Sequence, residues 1–437
     1  MNQQRHIIKK QIIELQLNSQ HGAVEMQNKV SKIYFSQAIP LIDDLCNQFS
    51  DLDTIQRIDT LEINLGNIDI NNLEQDFITK LAAELRQQLT KKILLANSPV
   101  PAQLQANSTN NLQFSNNNNI NSELELFSYF ILTGTLPWWT EKLSKEELEE
   151  CCDRLITTSP LQLKSILWES FKHETQLKRI IYHFGDAILL KIACLFVPSL
   201  SQVDGNYNSE NIDISPQIKL PKDISDNKSR QERWRELFVN VSLGKNAKSD
   251  PLQFTRENFA NFQDKVDDFN DTNEIYINNA GLILLYPFLN QFFATIGLVK
   301  ERCFINLSSA ERAVLLLQYL VDASTKLSEH ILPLNKLLCG IGLYESVDVN
   351  WEITPTEHTE SENLLSAVIE NWSILKNTSI PGFKTAFLQR EGILKIRDGS
   401  WLLLVERKSY DVLLDRIPWN ISVVKLPWMD EVLYSVW

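Results

Sequence analysis

Few residues in this chain have the types and spacing that chemistry needs, and the two catalytic motifs that begin in it are incomplete. His173-Glu174 starts like the HExxH helix of zinc proteases, but position 177, where the second histidine should stand, is Leu177. Gly244-Lys245 resembles the end of a phosphate-binding loop, but the glycine required five residues before Gly244 is replaced by Val239. We therefore interpret His173-Glu174 as part of a solvated charged face, and we expect no phosphate site.

Two groups of residues could support cysteine chemistry. Cys339 and His330 could be a nucleophile and its base, and the adjacent Cys151-Cys152 could be a redox pair. Cys339 ends an apolar helical pattern, and Cys151-Cys152 lies on the apolar face of another. Because buried cysteine is commonly a core residue, we interpret all three as packing residues.

Three carboxylates near the end of the chain could act as acid and base in sugar cleavage. These are Glu406, Asp411 and Asp415. Nothing else in that stretch indicates a sugar site, and Asp411 and Asp415 are four residues apart, as on one exposed helix face. We predict no catalytic residue, no cofactor and no metal ion, and hence a protein that is not an enzyme.

Tryptophans are the side chains most suited to partner docking, because they combine a large apolar surface with a polar N–H group. Five of them lie beside prolines or at the chain end: Trp138, Trp139, Trp419, Trp428 and Trp437. Core packing is the common role for most buried tryptophans. If any of the five docks a partner, we expect Trp428 and Trp437 to do so, because they are closest to the free end.

The composition excludes several classes of protein. The net charge is -13 and the sequence pI is about 5.1, so neither nucleic acid nor an anionic membrane is an expected partner. Six scattered cysteines without a CxxC motif indicate a reducing compartment. The longest apolar run, Ala187 to Val197, is too short to span a bilayer. We predict a soluble cytoplasmic protein of two or three domains.

The elements that position these residues begin with a small α/β N-terminal unit over residues 1–100, in the order βαβα. Alternating apolar residues predict its strands, and apolar residues three or four apart predict its helices. The predicted elements are a strand over 6–17, a helix over 23–49 kinked or broken at Pro40, a strand over 57–66 and a helix over 73–95.

A helical middle follows an Asn-rich, flexible linker at 103–122. Capping boxes at Ser122-x-x-Glu125 and Ser144-x-x-Glu147, and an N-cap with proline at Ser159-Pro160, predict a helical domain at 123–200. Residues 201–274 are predicted to be a polar linker with one short helix over 230–243.

The last third, residues 275–437, is predicted to be a mainly helical docking domain with one β-hairpin. The fold class is therefore α+β and mostly helical. Its helix signals are Ser308-x-x-Glu311, Pro333 with Gly340, Thr354-Pro355-Thr356-Glu357, and Ile380-Pro381-Gly382 with an end at Gly392. The hairpin is predicted over 393–396 and 401–405, turning at Asp398-Gly399.

Several short strings, in this order along the chain, resemble the tape measure proteins of contractile injection systems, which are phage-tail-like particles. Each string is weak alone, and their order makes the match specific, above all over 276–437. They are His6-Ile7-Ile8, Ile58 to Gly66, Gly134 to Trp139, Asn279-Ala280-Gly281-Leu282, Asn335 to Gly340, Phe387 to Gly392, Tyr410 to Trp419, Leu426 to Met429 and the final Trp437.

The resemblance implies a structural assembly protein that occupies the inner tube and sets how many rings are stacked. The implied partners are the inner-tube protein, the baseplate hub and spike proteins and a tube terminator, with several copies per particle. The implied location is the cytoplasm during assembly and then the lumen of the tube. A fully helical chain of this length would reach roughly 650 Å.

The sequence departs from this role because its middle contains no long uninterrupted amphipathic helix. Either the ruler is short, or the middle extends inside the tube, or the protein works at a tube end and measures nothing. The alternative functions are therefore an assembly chaperone or a tube-end or baseplate adaptor of the same particle. A cell-wall hydrolase using Glu406 or Asp411 is a further alternative.

Overall fold

The computed structural model divides the chain into two compact units, Met1–Ser122 and Glu123–Trp437. Most of the described residues are helical, and the strands form a small mixed sheet and two short ribbons. The structure describes residues 6, 8, 11–17, 22–49, 58, 60–96, 114–140, 143–197, 213–214, 218–219, 227–243, 274–397 and 399–437.

The first unit is built from two helical stretches. Helix α1 (Ala23–Ile33) continues through a π-helical turn (Tyr34–Ala38) into α2 (Ile39–Phe49), and α3 (Leu73–Ala96) packs against α2. Both predicted helices are confirmed. The π turn directly precedes Pro40, which lacks the N–H that a regular helix would donate one turn back. The predicted apolar spacing on α3 is confirmed by the burial of Phe77, Leu81, Leu85 and Leu89.

The two strands predicted in this unit are wrong for the residues that the structure describes there. Residues 11–17 and 60–69 are irregular, and the apolar side chains of 11–17 are exposed. Alternation alone fixes which side chains face inward, but a strand needs a partner for its backbone groups. The alternation itself is real, because Ile63 and Leu65 pack against the helices while Glu62 and Asn64 are exposed. The described part of this unit is therefore helical and not βαβα.

The predicted Asn-rich linker overlaps a helix. Residues 103–113 lie outside the described residues, whereas helix α4 (Phe114–Thr133) includes residues 114–122, where we predicted a flexible linker. Ser122 consequently lies inside α4, and the predicted capping box at Ser122-x-x-Glu125 is wrong. The reason is that the helix begins eight residues earlier, so the N–H groups near Ser122 already have carbonyl partners one turn back.

The helices predicted before residue 200 and the short helix after it are confirmed. Ser144 and Glu147 form the predicted reciprocal capping box, and Ser159 precedes Pro160 as the N-cap. The five helices are α5 (Lys145–Thr158), α6 (Pro160–Ser170), α7 (Glu174–His183), α8 (Asp186–Phe196) and α9 (Asn227–Ser242). A two-stranded ribbon of β1 (Asp213–Ile214) and β2 (Ile218–Lys219) precedes α9. The domain boundaries predicted at 200 and 275 stay predictions.

The helices after residue 274 match most of the predicted signals. The capping box at Thr354 and Glu357 is confirmed, and Gly340 follows the predicted short helix with a φ of 66°. They are α10 (Tyr286–Thr295), α11 (Leu307–Asp322), α12 (Pro333–Leu338), α13 (Pro355–Asn371) and α14 (Ile380–Phe383), which continues as a π turn over Lys384–Leu388.

Two predicted helix ends in this stretch are wrong. Helix α11 begins one residue before Ser308, and its cap is Asn306, whose side chain accepts from the Ser309 N–H. The helical stretch after Ile380 ends at Leu388, and Gly392 instead opens a strand. At both places the sequence offers competing polar or glycine signals within a few residues, and tertiary packing selects one of them.

The hairpin predicted near the end of the chain is confirmed, but it belongs to a five-stranded sheet that we did not predict. Its strands are β6 (Gly392–Arg397) and β7 (Ser400–Val405). Three short strands complete the sheet in the order β3-β6-β7-β9-β8: β3 (Ile275–Ile277), β8 (Val423–Val424) and β9 (Leu433–Val436). The β7–β9 pair is parallel and the other pairs are antiparallel. A separate ribbon joins β4 (Val299–Lys300) and β5 (Cys303–Phe304).

The sheet has one face on the main core of the second unit. Leu394, Leu403 and Leu433 point from that face into a cluster that includes Leu316 of α11 and the fully buried Trp372. The elements after residue 274 bury their apolar sides in this cluster.

Candidate functional site

Three buried charged side chains among the described residues meet between α7 and α12. Arg179 Nε lies 3.0 Å from Glu329 Oε2, and Lys336 Nζ lies 2.6 Å from Glu329 Oε1. The side chains of all three residues are at most 2% exposed. We call Arg179, Glu329 and Lys336 the buried ion cluster.

Main-chain carbonyls complete the coordination of the two cations. Burial lowers the pKa of Lys336, and the adjacent Glu329 carboxylate opposes that shift. One carboxylate faces two cations, so carbonyl dipoles supply the remaining compensation that buried charges require. The carbonyls belong to Ile131, Leu132, Tyr344, Leu343 and Glu345.

Gly134 lies against the buried ion cluster and begins the turn that contains Trp138 and Trp139. Its φ is 73°, and a Cβ added there would lie 2.6 Å from Glu329 Oε1 and 3.0 Å from Arg179 Nε. Only glycine combines that backbone conformation with that approach. The string from Gly134 to Trp139 is thus held against the buried ion cluster.

A second buried polar cluster joins two of the strings that carried the resemblance. Asn279 Nδ2 donates to Gln318 Oε1 at 2.9 Å and to Asn335 Oδ1 at 2.7 Å. Asn335 Nδ2 donates in turn to the Val314 carbonyl at 3.0 Å. We call Asn279, Gln318 and Asn335 the buried amide cluster. Amides buried in this way fix the register of the segments that carry them, because an unpaired amide there would be costly.

Close backbone contacts at glycine tie further strings together. A Cβ on Gly281 would collide with the Phe387 carbonyl oxygen, and one on Gly392 would lie 2.8 Å from Ala280 Cβ. The Ala280 N–H also donates to the Arg390 carbonyl at 3.0 Å. The two strings around Gly281 and Gly392 are therefore in direct backbone contact.

Arg390 holds the end of the chain. Its guanidinium is buried, pairs with Asp411, and lies 4.8 Å from the Tyr410 ring centre and 5.5 Å from that of Trp437. Trp437 Nε1 donates to Asp411 Oδ2 at 3.0 Å, and the Lys408 N–H donates to the same oxygen at 2.8 Å. The carboxylate of Asp411 is therefore engaged by three donors and serves to anchor this corner.

The five tryptophans predicted for docking make internal contacts. Trp428 lies 4.7 Å from the Phe304 ring, and its Nε1 donates to the Leu338 carbonyl at 2.8 Å. Trp419 lies edge-on to Phe288 at 5.2 Å. All five, Trp138, Trp139, Trp419, Trp428 and Trp437, are half-buried. Their predicted role in docking a partner stays a prediction.

The cysteine candidates are packed in the core. All six cysteines are free thiols. Burial raises the pKa of the Cys339 thiol well above its ordinary value, and burial raises the pKa of Cys151 to about 12. Because the thiolate is the reactive form, burial disfavours nucleophilic chemistry at these sites. Cys339 and Cys151-Cys152 thus serve the core in the way that the apolar patterns predict.

The remaining candidates are structural or exposed. His173 is the N-cap of α7, and Glu174 pairs with Arg235 on α9 at 2.9 Å. Glu406 pairs with Lys408 on the surface, and Asp415 lies in the 3-10 turn Ser409–Arg416. Gly244-Lys245 lies outside the described residues.

A cavity of about 420 Å³ lies beside the buried amide cluster. It shares Gln318 with that cluster and is largely polar, unlike most small-molecule sites. It is lined by Asn278, Gln318, Val321, Asp322, Gln389 and Glu391. Within the described ranges, no three His, Cys, Asp or Glu side chains gather in a way that could hold a metal ion.

None of the described helices combines the length and the apolar character that a membrane-spanning helix needs.

The residues that matter most here were missed by the sequence analysis. Arg179, Glu329 and Gln318 carried no motif. Lys336 was a usable signal, because a lysine between Leu334 and Leu337 interrupts an apolar helix face. Its partners could not be named, since Arg179 is 150 residues distant from Glu329 along the chain.

The sequence model of a protein family matches most of the chain. The family is described as contractile injection system tape measure protein, and the match covers residues 5–268 and 221–437. Searches of curated proteins and of solved structures found no match.

Proposed function

We propose a division of labour within this chain, which belongs to the family of contractile injection system tape measure proteins. Its role is that of a structural protein of the particle, associated with other particle components. In the proposal, the unit Glu123–Trp437 stays folded as an anchor at one end of the inner tube. The match of the family over nearly the whole chain is the observation that carries the proposal.

The buried ion cluster supports the idea that the anchor does not extend. Arg179 belongs to the helical part of the unit, while Glu329 and Lys336 belong to the part after residue 274. Stretching the chain between these parts would separate a buried carboxylate from two cations. Breaking such a buried pair costs about 3–5 kcal/mol, in addition to the lost apolar packing.

The lengths of the described helices also support a folded anchor rather than a single extended ruler. The longest described helix, α3, has 24 residues and therefore spans about 36 Å. No described helix approaches the roughly 650 Å that a fully helical chain could reach. Any contribution to length in this protein then comes from how its units and the segments between them are arranged in the tube.

The proposed partners of the anchor are the inner-tube protein and the baseplate hub and spike proteins, with a tube terminator at the far end. Several copies would act together, first in the cytoplasm and then inside the tube. The net charge of -13 would suit a lumen lined with basic residues.

Changing the length of the chain between its ordered elements tests the ruler role. A helical insertion of about 20 residues adds about 30 Å per copy. The insertion sites are residues 103–113 and 245–273, and a matched insertion after Trp437 is the control. Mean tube length is measured by electron microscopy of purified particles. A ruler with a folded anchor predicts longer tubes for the insertion at 103–113. It predicts unchanged tubes for the insertion at 245–273, which lies inside the anchor, and for the control.

Unchanged tube length with normal particle yield would reject the ruler role for this chain. The tube-end or baseplate adaptor is then the favoured function, and a unit that stays folded as an anchor supports it. Deletion of the whole protein then tests whether the particle needs it. An adaptor or an assembly chaperone predicts loss of particles, whereas a dispensable protein predicts normal particle yield.

A cell-wall hydrolase is the least supported alternative. The Asp411 carboxylate accepts from Arg390, Lys408 and Trp437, which gives it a structural role in this corner of the fold. Purified protein is expected to leave peptidoglycan intact. Cleavage that is lost in Glu406→Gln or Asp411→Asn would contradict this.

A further inference from the structure

A fully buried histidine lies at the junction that the buried ion cluster joins. His183 is the last residue of α7 and is 1% exposed. The Phe130 ring of α4 lies edge-on to its imidazole at 4.7 Å, and the Phe184 ring does so at 5.2 Å. Among the residues that the structure describes, neither ring nitrogen of His183 has a hydrogen-bond partner. The imidazole is therefore packed like an aromatic core residue, which suits its neutral form.

A second histidine faces this junction from the other side. His330 is buried in the 3-10 turn Glu329–Ile331, directly after the carboxylate residue of the ion cluster. It is close enough to His183 for the charges of two protonated rings to repel each other. Helix α7 thus brings Arg179 and His183 to the junction, and the turn brings Glu329 and His330.

The charges around His183 disfavour a proton on its ring. The buried ion cluster contains two cations and one carboxylate, so it has a net positive charge. Burial lowers the pKa of His183 well below its ordinary value, and Lys145 of α5, His330 and Arg179 lower it further. Protonation of His183 would therefore add another positive charge to a site that already has an excess of them.

Two carboxylates on the neighbouring elements are engaged elsewhere. Glu329 is shared between Arg179 and Lys336. Glu149 of α5 accepts from the Gly185 N–H at 2.8 Å. Neither is placed to neutralise an imidazolium at His183 without giving up these contacts.

The consequence is a loss of stability in acid. In the unfolded chain, a histidine takes up its proton near pH 6.5. In the folded chain His183 stays neutral there, so below that pH the unfolded state binds more protons. Each further pH unit then favours the open state by up to about tenfold. At pH 7.5 the contribution is nearly absent, because His183 is neutral in both states.

We propose that the junction of α7 with the turn Glu329–Ile331 is an acid-sensitive latch, which is closed at neutral pH and opens when His183 is protonated. Opening gives the imidazole access to water and separates Arg179 from Glu329. This inference goes beyond the proposed function, because it concerns the condition under which the second unit loosens and not what the unit binds.

Amide hydrogen exchange of the full chain at pH 7.5 and pH 5.5 tests the proposal. Each rate is divided by that of an unstructured peptide at the same pH. Protection in α7 and in the turn Glu329–Ile331 is expected to fall about tenfold between the two pH values. Strands β6 and β7, which lie outside the junction, are expected to keep their protection.

Two variants assign the effect to His183. In His183→Gln, whose side chain stays neutral, protection is expected to fall by about threefold or less over the same pH range. His173→Gln is the matched control, because His173 is the exposed N-cap residue of the same helix. It should behave like the wild type.

Deuterium exchange at the histidine C2 carbon, measured by mass spectrometry, reports the protonation of His183 without any variant. Exchange at His183 in the folded protein is expected to show no titration between pH 5.5 and 8, whereas a histidine in a model peptide titrates in this range.

Three results would overturn the proposal. The first is an equal loss of protection in the wild type and in His183→Gln. The second is a His183 ring that titrates in the folded protein as it does in a model peptide. The third is a loss of protection in β6 and β7 as large as that in α7, which would assign the acid sensitivity to the unit as a whole.

Discussion

The two units of this protein bury their apolar residues in different ways. In the first unit, eight buried residues form two small clusters along the helices: Val30, Ile33, Ala38, Phe77 and Leu81 in one, and Leu45, Leu85 and Leu89 in the other. Many of its other apolar side chains are exposed, among them Ile12, Val24 and Phe35. In the second unit, one large apolar cluster gathers the buried residues between 277 and 433, and a charged cluster and an amide cluster are also buried.

This contrast indicates which residues stabilise the fold and which remain available for association. A small core leaves little stability above the entropy of ordering the chain, so each buried residue in the first unit matters and the exposed ones add little. The second unit pairs buried charges and amides from distant segments, such as Arg179 with Glu329 and Asn279 with Asn335, and its stability depends on these contacts. The following predictions test this contrast, in order of decreasing effect.

Removing the shared carboxylate is expected to have the largest effect. Glu329→Ala leaves Arg179 and Lys336 buried without a counter-charge, and the second unit should lose about 3–5 kcal/mol of unfolding free energy. Urea unfolding, followed separately for each unit by hydrogen exchange, measures this loss. Arg154→Ala, which breaks an exposed pair with Glu123, is the control and should cost about 1 kcal/mol or less. Equal losses of unfolding free energy in both variants would contradict the expected difference between the buried and the exposed ion pair.

A methyl group at Gly281 is expected to be nearly as damaging. Its Cβ would collide with the Phe387 carbonyl, and backbone cannot yield as a side chain can. Gly281→Ala should cost about 2–3 kcal/mol. Gly342→Ala is the matched control, since its Cβ would meet only the flexible Glu345 side chain at 3.2 Å. Thermal unfolding with both variants in parallel gives the comparison, and similar melting temperatures would argue against the close contact.

Alkaline pH should weaken the second unit in part through Cys151. Its pKa is raised by burial to about 12, whereas the unfolded thiol ionises at about 8.5. The unfolded state therefore loses its proton first, and this contribution falls by about 1.4 kcal/mol per pH unit between those values. Cys151→Ala should have a shallower decline from pH 9 to 10.5 than the wild type in urea unfolding. A slope identical to that of the wild type would refute the assignment.

The exposed apolar residues of the first unit should have the smallest effect on folding. Leu15→Ser/Leu17→Ser is expected to change the unfolding free energy by about 0.5 kcal/mol or less, because both side chains already face solvent. Leu81→Ser, at a buried position of α3, is the contrast and should unfold the unit or come close to it. A large loss in the double variant would mean that residues 11–17 belong to the core.

Elements with strong local signals could be predicted from the sequence, whereas short strands that pair with distant segments could not. Helices with a strong local signal, such as α3 with its four-residue apolar spacing and α13 with the Thr354 box, were predicted with nearly correct bounds. The hairpin was predicted because its turn and both strands are adjacent in sequence. Strands β3, β8 and β9 were missed, since each is two to four residues long and pairs with partners far along the chain.

The same limit applies to the residues of the candidate site, because their contacts join segments that are distant in sequence. The strings around Asn279, Asn335 and Arg390 were noted because they resemble a family, but their physical role was not visible. Asn279 and Asn335 are ordinary polar residues in sequence, and their mutual hydrogen bond requires a fold that brings them together. The tryptophans were noted for docking, whereas the structure adds their internal contacts.

The sequence by itself determined the family, the helical character and the inward-facing side of most elements, because periodicity and caps are local properties of the chain. Only the tertiary structure decided that residues 11–17 and 60–69 lack strand partners and that Arg179 meets Glu329. These outcomes depend on pairing between distant segments. Such pairing is decided by the free energy of the whole fold, and no local pattern contains it.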